Sequence, residues 1–187
     1  LIATREVPAF DNSAMDGYAV CSADLVNASE DNPIILPVYG VISAGQMPSE
    51  QLRSHQAVRI FTGAPIPDGA DAVVIQEQTE KSEGGVMIKQ PAEVGQNIRF
   101  AGEDTKIKEY LFNIGRKISP CEIAILAAQS RSWLSVFTVP KVAVITTGDE
   151  LVDVDHAVHK GKITNSNSHM ICAQLKQLGA NPVMFPI

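Results

Sequence analysis

Acidic residues stand beside glycine in four stretches of the sequence: Asp16-Gly17, Asp68-Gly69, Gly102-Glu103-Asp104 and Gly148-Asp149-Glu150. Asp68-Gly69 is typical of a turn, and each of the others, taken alone, is more often a turn or a cap than a site. The last stretch differs because it follows an apolar run, Val142 to Ile145, that is typical of a strand buried on both faces. Ligands of open α/β sheets bind beyond the carboxyl ends of such strands, where carboxylates can hold a divalent cation.

Two further stretches carry polar groups suited to anions. Asn165, Ser166 and Asn167 open a helical pattern, and the free N–H groups of a helix start favour phosphate, although plain capping explains these residues equally well. Thr62, in RIFTGAPIP, offers a hydroxyl beside glycine, in a dipeptide that is by itself more typical of a turn. No GxSxG, P-loop or dinucleotide fingerprint occurs. Residue types and spacing therefore indicate a carboxylate-rich ligand site, with metal dependence left open.

Three sequence patterns predict the elements that position these groups. Short apolar runs broken by Gly, Pro and Asp, from Ile34 to Lys89, predict a β-barrel-like domain. Ser119, Pro120 and Glu122 form a capping box that predicts a helix in a linker region. From Pro140 onward the order strand, loop, helix, strand is typical of the start of an α/β domain. The predicted fold class is therefore multidomain, α/β plus β.

The composition limits the partners. The net charge is −6 and no Lys/Arg cluster exceeds a pair, so we expect no nucleic acid partner. No membrane-length apolar run and no signal peptide pattern occur, which makes the cytoplasm the expected location. The chain begins with Leu1 and stops within a strand-like NPVMFPI, so we expect a piece of a longer protein. Trp133 and Phe137 are expected to pack in a core or a domain seam.

Several strings, taken in order, resemble the MoeA family of molybdopterin molybdenumtransferases, to which gephyrin is related. These are PAFDNSAMDGYAV, RIFTGAPIPDGADAVVIQEQTE, GQNIRFAGEDTK, PKVAVITTGDELV and GKITNSNSHM. DNSAMDGYA and RIFTGAPIP are highly specific to that family, whereas TTGDEL occurs in related molybdopterin-binding domains. The resemblance implies an enzyme that inserts molybdenum from molybdate into adenylylated molybdopterin and releases AMP, the last step of molybdenum cofactor synthesis. It also implies a need for Mg²⁺.

The resemblance further implies a homodimer whose active site lies between the α/β domain of one subunit and the β-rich domain of the other. The molybdopterin adenylyltransferase is a further expected partner. Asp16, Thr62, Asp104 and Glu150 match the family's catalytic positions, with Glu150 as the metal ligand. The positions implied for binding pterin or phosphate are Thr147, Gly148, Asp149, Asn165, Ser166 and Asn167.

The domain boundaries implied by the resemblance divide the chain in three. Residues 1–12 and 105–139 are expected to form a connecting domain, residues 13–104 a β-rich domain, and residues 140–187 the start of the α/β molybdopterin-binding domain. Loops expected further along the α/β domain are missing, so this fragment by itself is not expected to complete catalysis.

Two positions depart from the family pattern. Lys108 stands near a usual glycine, so we expect that turn to take another form, and the stretch AAQSRSW ends the predicted helix without a glycine.

Two alternatives to the enzyme remain. A gephyrin-like dimeric scaffold would use the same fold as a binding module. A stand-alone molybdopterin- or nucleotide-binding domain would share only TTGDEL, and the N-terminal DNSAMDGYA argues against it.

Overall fold

The computed structural model describes all residues from Leu1 to Ile187, in two compact units, Leu1–Ser132 and Trp133–Ile187. The strands of the first unit are β1 (Asn12–Ser13), β2 (Gly17–Val20), β3 (Ile34–Leu36), β4 (Val38–Ile42), β5 (Ala57–Ile60), β6 (Ala72–Ile75), β7 (Thr79–Ser82), β8 (Gly85–Ile88) and β9 (Ile98–Arg99), followed by helix α1 (Pro120–Ala128). The second unit contains β10 (Lys141–Val144), β11 (Leu151–Val152), β12 (Ile163–Thr164), α2 (Asn167–Gln177) and β13 (Asn181–Met184). Neither helix is long and apolar enough to span a membrane.

The main sheet of the first unit has four strands in the order β4-β5-β2-β6. Strand β2 lies antiparallel to both β5 and β6, and β4 runs parallel to β5. Successive residues of β2 join different buried clusters, Ala19 one and Val20 the other. Both faces of this sheet are therefore covered, which explains why its strands read as continuous apolar runs without alternation.

The expected barrel-like closure is not found. Strands β3, β8 and β7 form a separate three-stranded antiparallel sheet, in which β7 and β8 are a hairpin turning at Glu83 and Gly84. The edge strands of the two sheets do not pair with each other, so no closed barrel forms. The sequence shows where short strands begin and end, but closure depends on pairing between edges distant along the chain.

Helix α1 begins as the sequence predicts. Ser119 is its N-cap and Pro120 its first residue, and the capping box with Glu122 is present. The helix ends in a Schellman motif, because Ser130 N–H bonds to the carbonyl of Ala127 at 2.8 Å and the next N–H bonds to that of Leu126. Ser130 takes the left-handed position, with φ of 52°, that glycine usually fills.

The first residues of the chain pair with a segment more than a hundred residues later. The backbone nitrogen of Leu1 donates to the carbonyl of Phe112 at 2.6 Å, over a separation of 111 residues. Gln129, buried at the end of α1, accepts from the N–H of Thr4 at 2.8 Å and donates to the carbonyl of Arg5 at 3.1 Å. The N-terminal segment is thus fixed by both the 105–112 loop and α1.

Lys108 lies in that loop and has φ of 69°, the left-handed conformation. The lysine thus adopts a backbone conformation that favours glycine, and the expectation that this turn differs from that of the family stays a prediction.

The second unit contains a strand–helix–strand arrangement. Strands β10 and β13 pair in parallel, from Lys141↔Asn181 to Val144↔Met184, and α2 packs against both. Two residues beyond the end of α2, Gly179 has φ of 83° and donates to the carbonyl of Lys176 at 3.0 Å, the left-handed glycine cap that the pattern QLKQLGA predicts. The expectation for Trp133 and Phe137 is wrong, since they are 90% and 76% exposed in a segment without regular structure.

Candidate functional site

Asp16 and Thr62 are in direct contact. The carboxylate Oδ1 of Asp16 accepts hydrogen bonds from the backbone N–H of Thr62 at 2.8 Å and from its hydroxyl at 2.8 Å. The backbone bond first, then the hydroxyl bond and the nearby charge of Arg59, hold the pKa of Asp16 below its usual value. Asp16 is therefore ionised at neutral pH, and its other oxygen, Oδ2, has no hydrogen-bond partner within the protein.

The backbone of Asp16 is fixed by the main sheet. Its carbonyl accepts from the N–H of Gln76, at the end of β6, at 3.0 Å. A Cβ at Gly17 would lie 2.1 Å from the carbonyl oxygen of Val74, far inside van der Waals contact. Glycine is therefore required here for the close approach of β2 to β6, and that approach determines where the Asp16 carboxylate lies.

The short strand β1 joins the three motifs of the first unit. It pairs antiparallel with β9, and the N–H of Ala14 donates to the carbonyl of Asn97 at 2.9 Å. On its other side, Ser13 accepts from the N–H of Gly63 at 2.8 Å and donates to the carbonyl of Ala64 at 2.9 Å. The segments DNSAMDG, TGAP and QNIR are consequently neighbours in the fold.

Asp104 lies on the loop that follows β9. Its N–H donates to the carbonyl of Val7 at 2.9 Å, and its side chain is exposed. It makes no hydrogen bond with Asp16 or Thr62. The two regions are linked indirectly, because the Asp11 carboxylate accepts from the N–H of Ala101 at 2.7 Å. The structure thus brings Asp16 and Thr62 together and places Asp104 on an adjoining segment.

Arg59 lies beside Asp16, and sequence reasoning missed it. Its guanidinium carbon lies 5.1 Å from the ring centroid of Tyr18 and 5.1 Å from that of Phe61. One terminal nitrogen donates to the carbonyl of Gly17 at 3.2 Å, and the other contacts the side-chain oxygen of Gln76. The available signal was a single arginine within the apolar strand AVRI, three residues before Thr62.

Gly148, Asp149 and Glu150 form a turn after β10, closed by a bond from the N–H of Leu151 to the carbonyl of Gly148 at 3.0 Å. The Glu150 carboxylate lies over that glycine, where a Cβ would be 2.6 Å from Oε2. The carboxylates of Asp149 and Glu150 are exposed and accept no hydrogen bond from the protein. The ammonium of Lys162, another residue not anticipated, donates to the carbonyl of Asp149.

The three polar residues before α2 differ in accessibility. Asn165 is buried, donates to the Thr146 hydroxyl at 2.8 Å and accepts from the N–H of Ser168 at 3.3 Å, so its amide is engaged within the protein. Ser166 is the N-cap and Asn167 the first helical residue, and both are exposed. Thr147, three residues beyond the end of β10, is also exposed.

A metal site complete within this chain is absent. No three His, Cys, Asp or Glu side chains are grouped so that they could hold an ion. Magnesium, however, is commonly held by one or two carboxylates together with substrate phosphates and water. The adjacent, unengaged carboxylates of Asp149 and Glu150 fit that mode of binding.

The fold matches that of a solved protein of molybdopterin biosynthesis. The crystal structure of the molybdopterin biosynthesis moeA protein from Pyrococcus horikoshii OT3 is 33% identical, with a TM-score of 0.92, and the match covers 100% of this chain and 50% of that one. The MoeA N-terminal region (domain I and II) matches residues 1–130, and the probable molybdopterin binding domain matches residues 143–187. The chain therefore belongs to the MoeA family.

Relatives named molybdopterin molybdenumtransferase show the same similarity in sequence. That of Staphylococcus aureus (strain Mu50) is 43% identical over 179 residues, covering 96% of this chain and 43% of the relative. Those of Nostoc sp. and Bacillus subtilis (strain 168) are each 40% identical, and the match covers 98% of this chain and 42% and 44% of the relative. The chain thus spans less than half the length of these relatives.

Proposed function

We propose that the full-length protein is a molybdopterin molybdenumtransferase, which uses molybdate and adenylylated molybdopterin and releases AMP. The observation that carries the proposal is the contact between Asp16 and Thr62, since it joins the two motifs most specific to the family. The similarity to relatives of that name over 96% of the chain supports it.

In this proposal Asp16 and Thr62 orient the oxyanion or the pterin. The hydroxyl of Thr62 already donates to Asp16 Oδ1, which leaves Oδ2 to accept a proton or a hydrogen bond from the substrate. Asp104, exposed on the loop next to this segment, is the third catalytic group.

Mg²⁺ is the proposed cation, and Glu150 with the neighbouring Asp149 would hold it. When bound, it supplies positive charge that offsets the charge of the pyrophosphate. Thr147, Gly148, Ser166 and Asn167 then contact phosphate or pterin through hydroxyl, amide and backbone groups. Asn165 acts by holding the start of α2 to the end of β10, since its amide is engaged there.

The proposal includes a homodimer in the cytoplasm that receives its substrate from the molybdopterin adenylyltransferase. The domain boundaries at residues 12, 104 and 139 stay predictions.

The test uses the full-length protein, purified adenylylated molybdopterin, molybdate and Mg²⁺, and measures active cofactor and AMP. We expect Asp16→Asn, Thr62→Val, Asp104→Asn and Glu150→Gln each to lower the rate by about 100-fold or more. Asp31→Asn is the control, because Asp31 is exposed and makes no hydrogen bond through its side chain. Wild-type rates in the first four variants would favour the scaffold alternative instead.

A further inference from the structure

Arg59 is held from four sides. Its guanidinium lies near the rings of Tyr18 and Phe61, each at 5.1 Å, within the range of cation–π attraction. Two of its nitrogens reach the Gly17 carbonyl and the Gln76 side chain. An arginine packed in this way loses little further freedom when it makes hydrogen bonds, so it can act as a rigid support.

The two hydrogen-bond acceptors of Arg59, the Gly17 carbonyl and the Gln76 side chain, belong to residues that also determine where Asp16 lies. Gly17 follows Asp16 directly, and the N–H of Gln76 donates to the Asp16 carbonyl at 3.0 Å. Arg59 and Thr62 come from the same part of the chain, at the end of β5 and just beyond it. Arg59, which contacts the backbone beside Asp16, and Thr62, which binds the Asp16 carboxylate, are thus only three residues apart in the chain.

We propose that Arg59 is a positioning residue, which holds the Asp16–Gly17 backbone and Gln76 so that the Asp16 carboxylate stays bonded to Thr62. The role needs the forked shape of the guanidinium as well as its charge, because one side chain must reach two acceptors while lying between two rings. This positioning role deepens the proposed function, and its importance for the reaction rests on that function. The geometry can nevertheless be tested without turnover.

Charged groups near Asp16 are few, which makes the readout direct. Arg59 is the one charged residue that shifts the titration of Asp16, and it acts in the same direction as the bonds from Thr62. Glu77 lies one step further away, where it accepts from the Gln76 side chain at 3.2 Å. A purely structural arginine would affect thermal stability but would leave the Asp16–Thr62 bond unchanged.

The experiment compares Arg59→Gln, Arg59→Lys and Gln76→Ala with the wild-type chain. NMR follows the titration of the Asp16 carboxyl, assigned with Asp16→Asn, and the hydrogen exchange of the Thr62 amide. For Arg59→Gln we expect the Asp16 midpoint to rise and the Thr62 amide to exchange about tenfold faster. Arg59→Lys should raise the midpoint less, because it keeps the charge, yet speed up exchange to a similar extent.

Arg53→Gln is the matched control, since Arg53 is exposed and makes no ion pair or side-chain hydrogen bond, and it should change neither measurement. If Arg59→Gln does not fold, Gln76→Ala decides, because Gln76 is exposed and its loss removes one of the two acceptors. An unchanged midpoint and unchanged Thr62 exchange in the folded variants would overturn the proposal. Wild-type exchange in Arg59→Lys would overturn the requirement for shape.

The full-length Arg59→Gln protein separates this inference from the proposed function. If both NMR measurements show that Asp16 is displaced while molybdenum insertion proceeds at the wild-type rate, the positioning role stands and the catalytic role of Asp16 fails. If Asp16 is displaced and the rate also falls, both stand.

Discussion

At the scale of single residues, Lys108 carries a conformation that suits another amino acid. Its φ of 69° is left-handed, and its side chain makes no hydrogen bond. The steric cost of a side chain in the left-handed conformation exceeds the entropic cost of glycine in the unfolded chain. We therefore expect Lys108→Gly to stabilise the protein by about 0.5–1 kcal/mol. Differential scanning calorimetry should show the melting temperature rising by about 1–3 °C.

Lys106→Gly is the control for that measurement, since Lys106 lies in the same loop without a left-handed backbone. It should lower the melting temperature, because glycine gains freedom in the unfolded state without relieving strain in the folded one. A fall in both variants would mean that the lysine at position 108 is not strained.

Single residues of the site were partly predictable from the sequence. Asp16 and Thr62 could each be selected, because the motifs around them are specific. Their contact could not be predicted, since strand pairing brings together residues 46 positions apart. Arg59 was missed for the same reason, as its importance lies in the rings and acceptors that the sheet places around it.

At the scale of elements, the start of α1 has a pH dependence that can be measured. The carboxylate of Glu122 accepts from Ser119 N–H at 2.9 Å and from the guanidinium of Arg116 at 2.6 Å. Hydrogen bonds from the Ser119 side chain first, and then from Arg116, lower the pKa of Glu122 from 4.5 to about 2. A carboxyl with a lowered pKa stabilises the fold fully above its unfolded pKa and loses that effect as the pH falls.

Glu122→Gln should therefore lower the melting temperature at pH 7. The difference from wild type should remain constant down to about pH 4.5 and shrink as the pH approaches about 2, where the carboxylate is protonated. Thermal denaturation followed by circular dichroism between pH 2 and pH 7 measures it, with exposed Glu93→Gln as the control. A difference independent of pH over that range would contradict the assigned role.

The elements themselves show which patterns are reliable. The capping box of α1 and the glycine cap of α2 are confirmed, since both depend on residues within a few positions of one another. The barrel was not found, because closure depends on distant edges. The N-cap of α2 is Ser166, one of the three polar residues for which the sequence left capping open, and Asn165 accepts from the N–H of Ser168 across it.

At the scale of the whole molecule, the 187 residues span less than half the length of the relatives, and within them the buried apolar side chains are distributed unevenly between the two units. Every buried apolar side chain except Val144 lies in the unit Leu1–Ser132. In the second unit, Met170 and Leu178 of the α2 region are 53% and 83% exposed. Burial of apolar surface is the main source of folding free energy, so the two units should differ greatly in stability when separated.

We expect residues 1–132, expressed alone, to unfold in one cooperative transition, and residues 133–187 alone to show none. Circular dichroism on heating and the dispersion of amide NMR signals measure both. The full 187-residue chain is the reference, and its main transition should lie near that of residues 1–132. Cooperative unfolding of residues 133–187 would contradict this prediction, because it would show that the burial of Val144 and its neighbours is enough to fold the second unit.

The pairing of the segment from Leu1 to Thr4 with residues far along the chain has a consequence for synthesis on the ribosome. Leu1 and Thr4 are translated before their partners Phe112 and Gln129, which follow 111 and 125 residues later. Strands β2 to β8 are complete well before then, so the main sheet can form during elongation while the first residues are still unpaired. Codon changes that slow translation between residues 89 and 129 would therefore lengthen the time in which the segment from Leu1 to Thr4 stays unpaired and open to proteases.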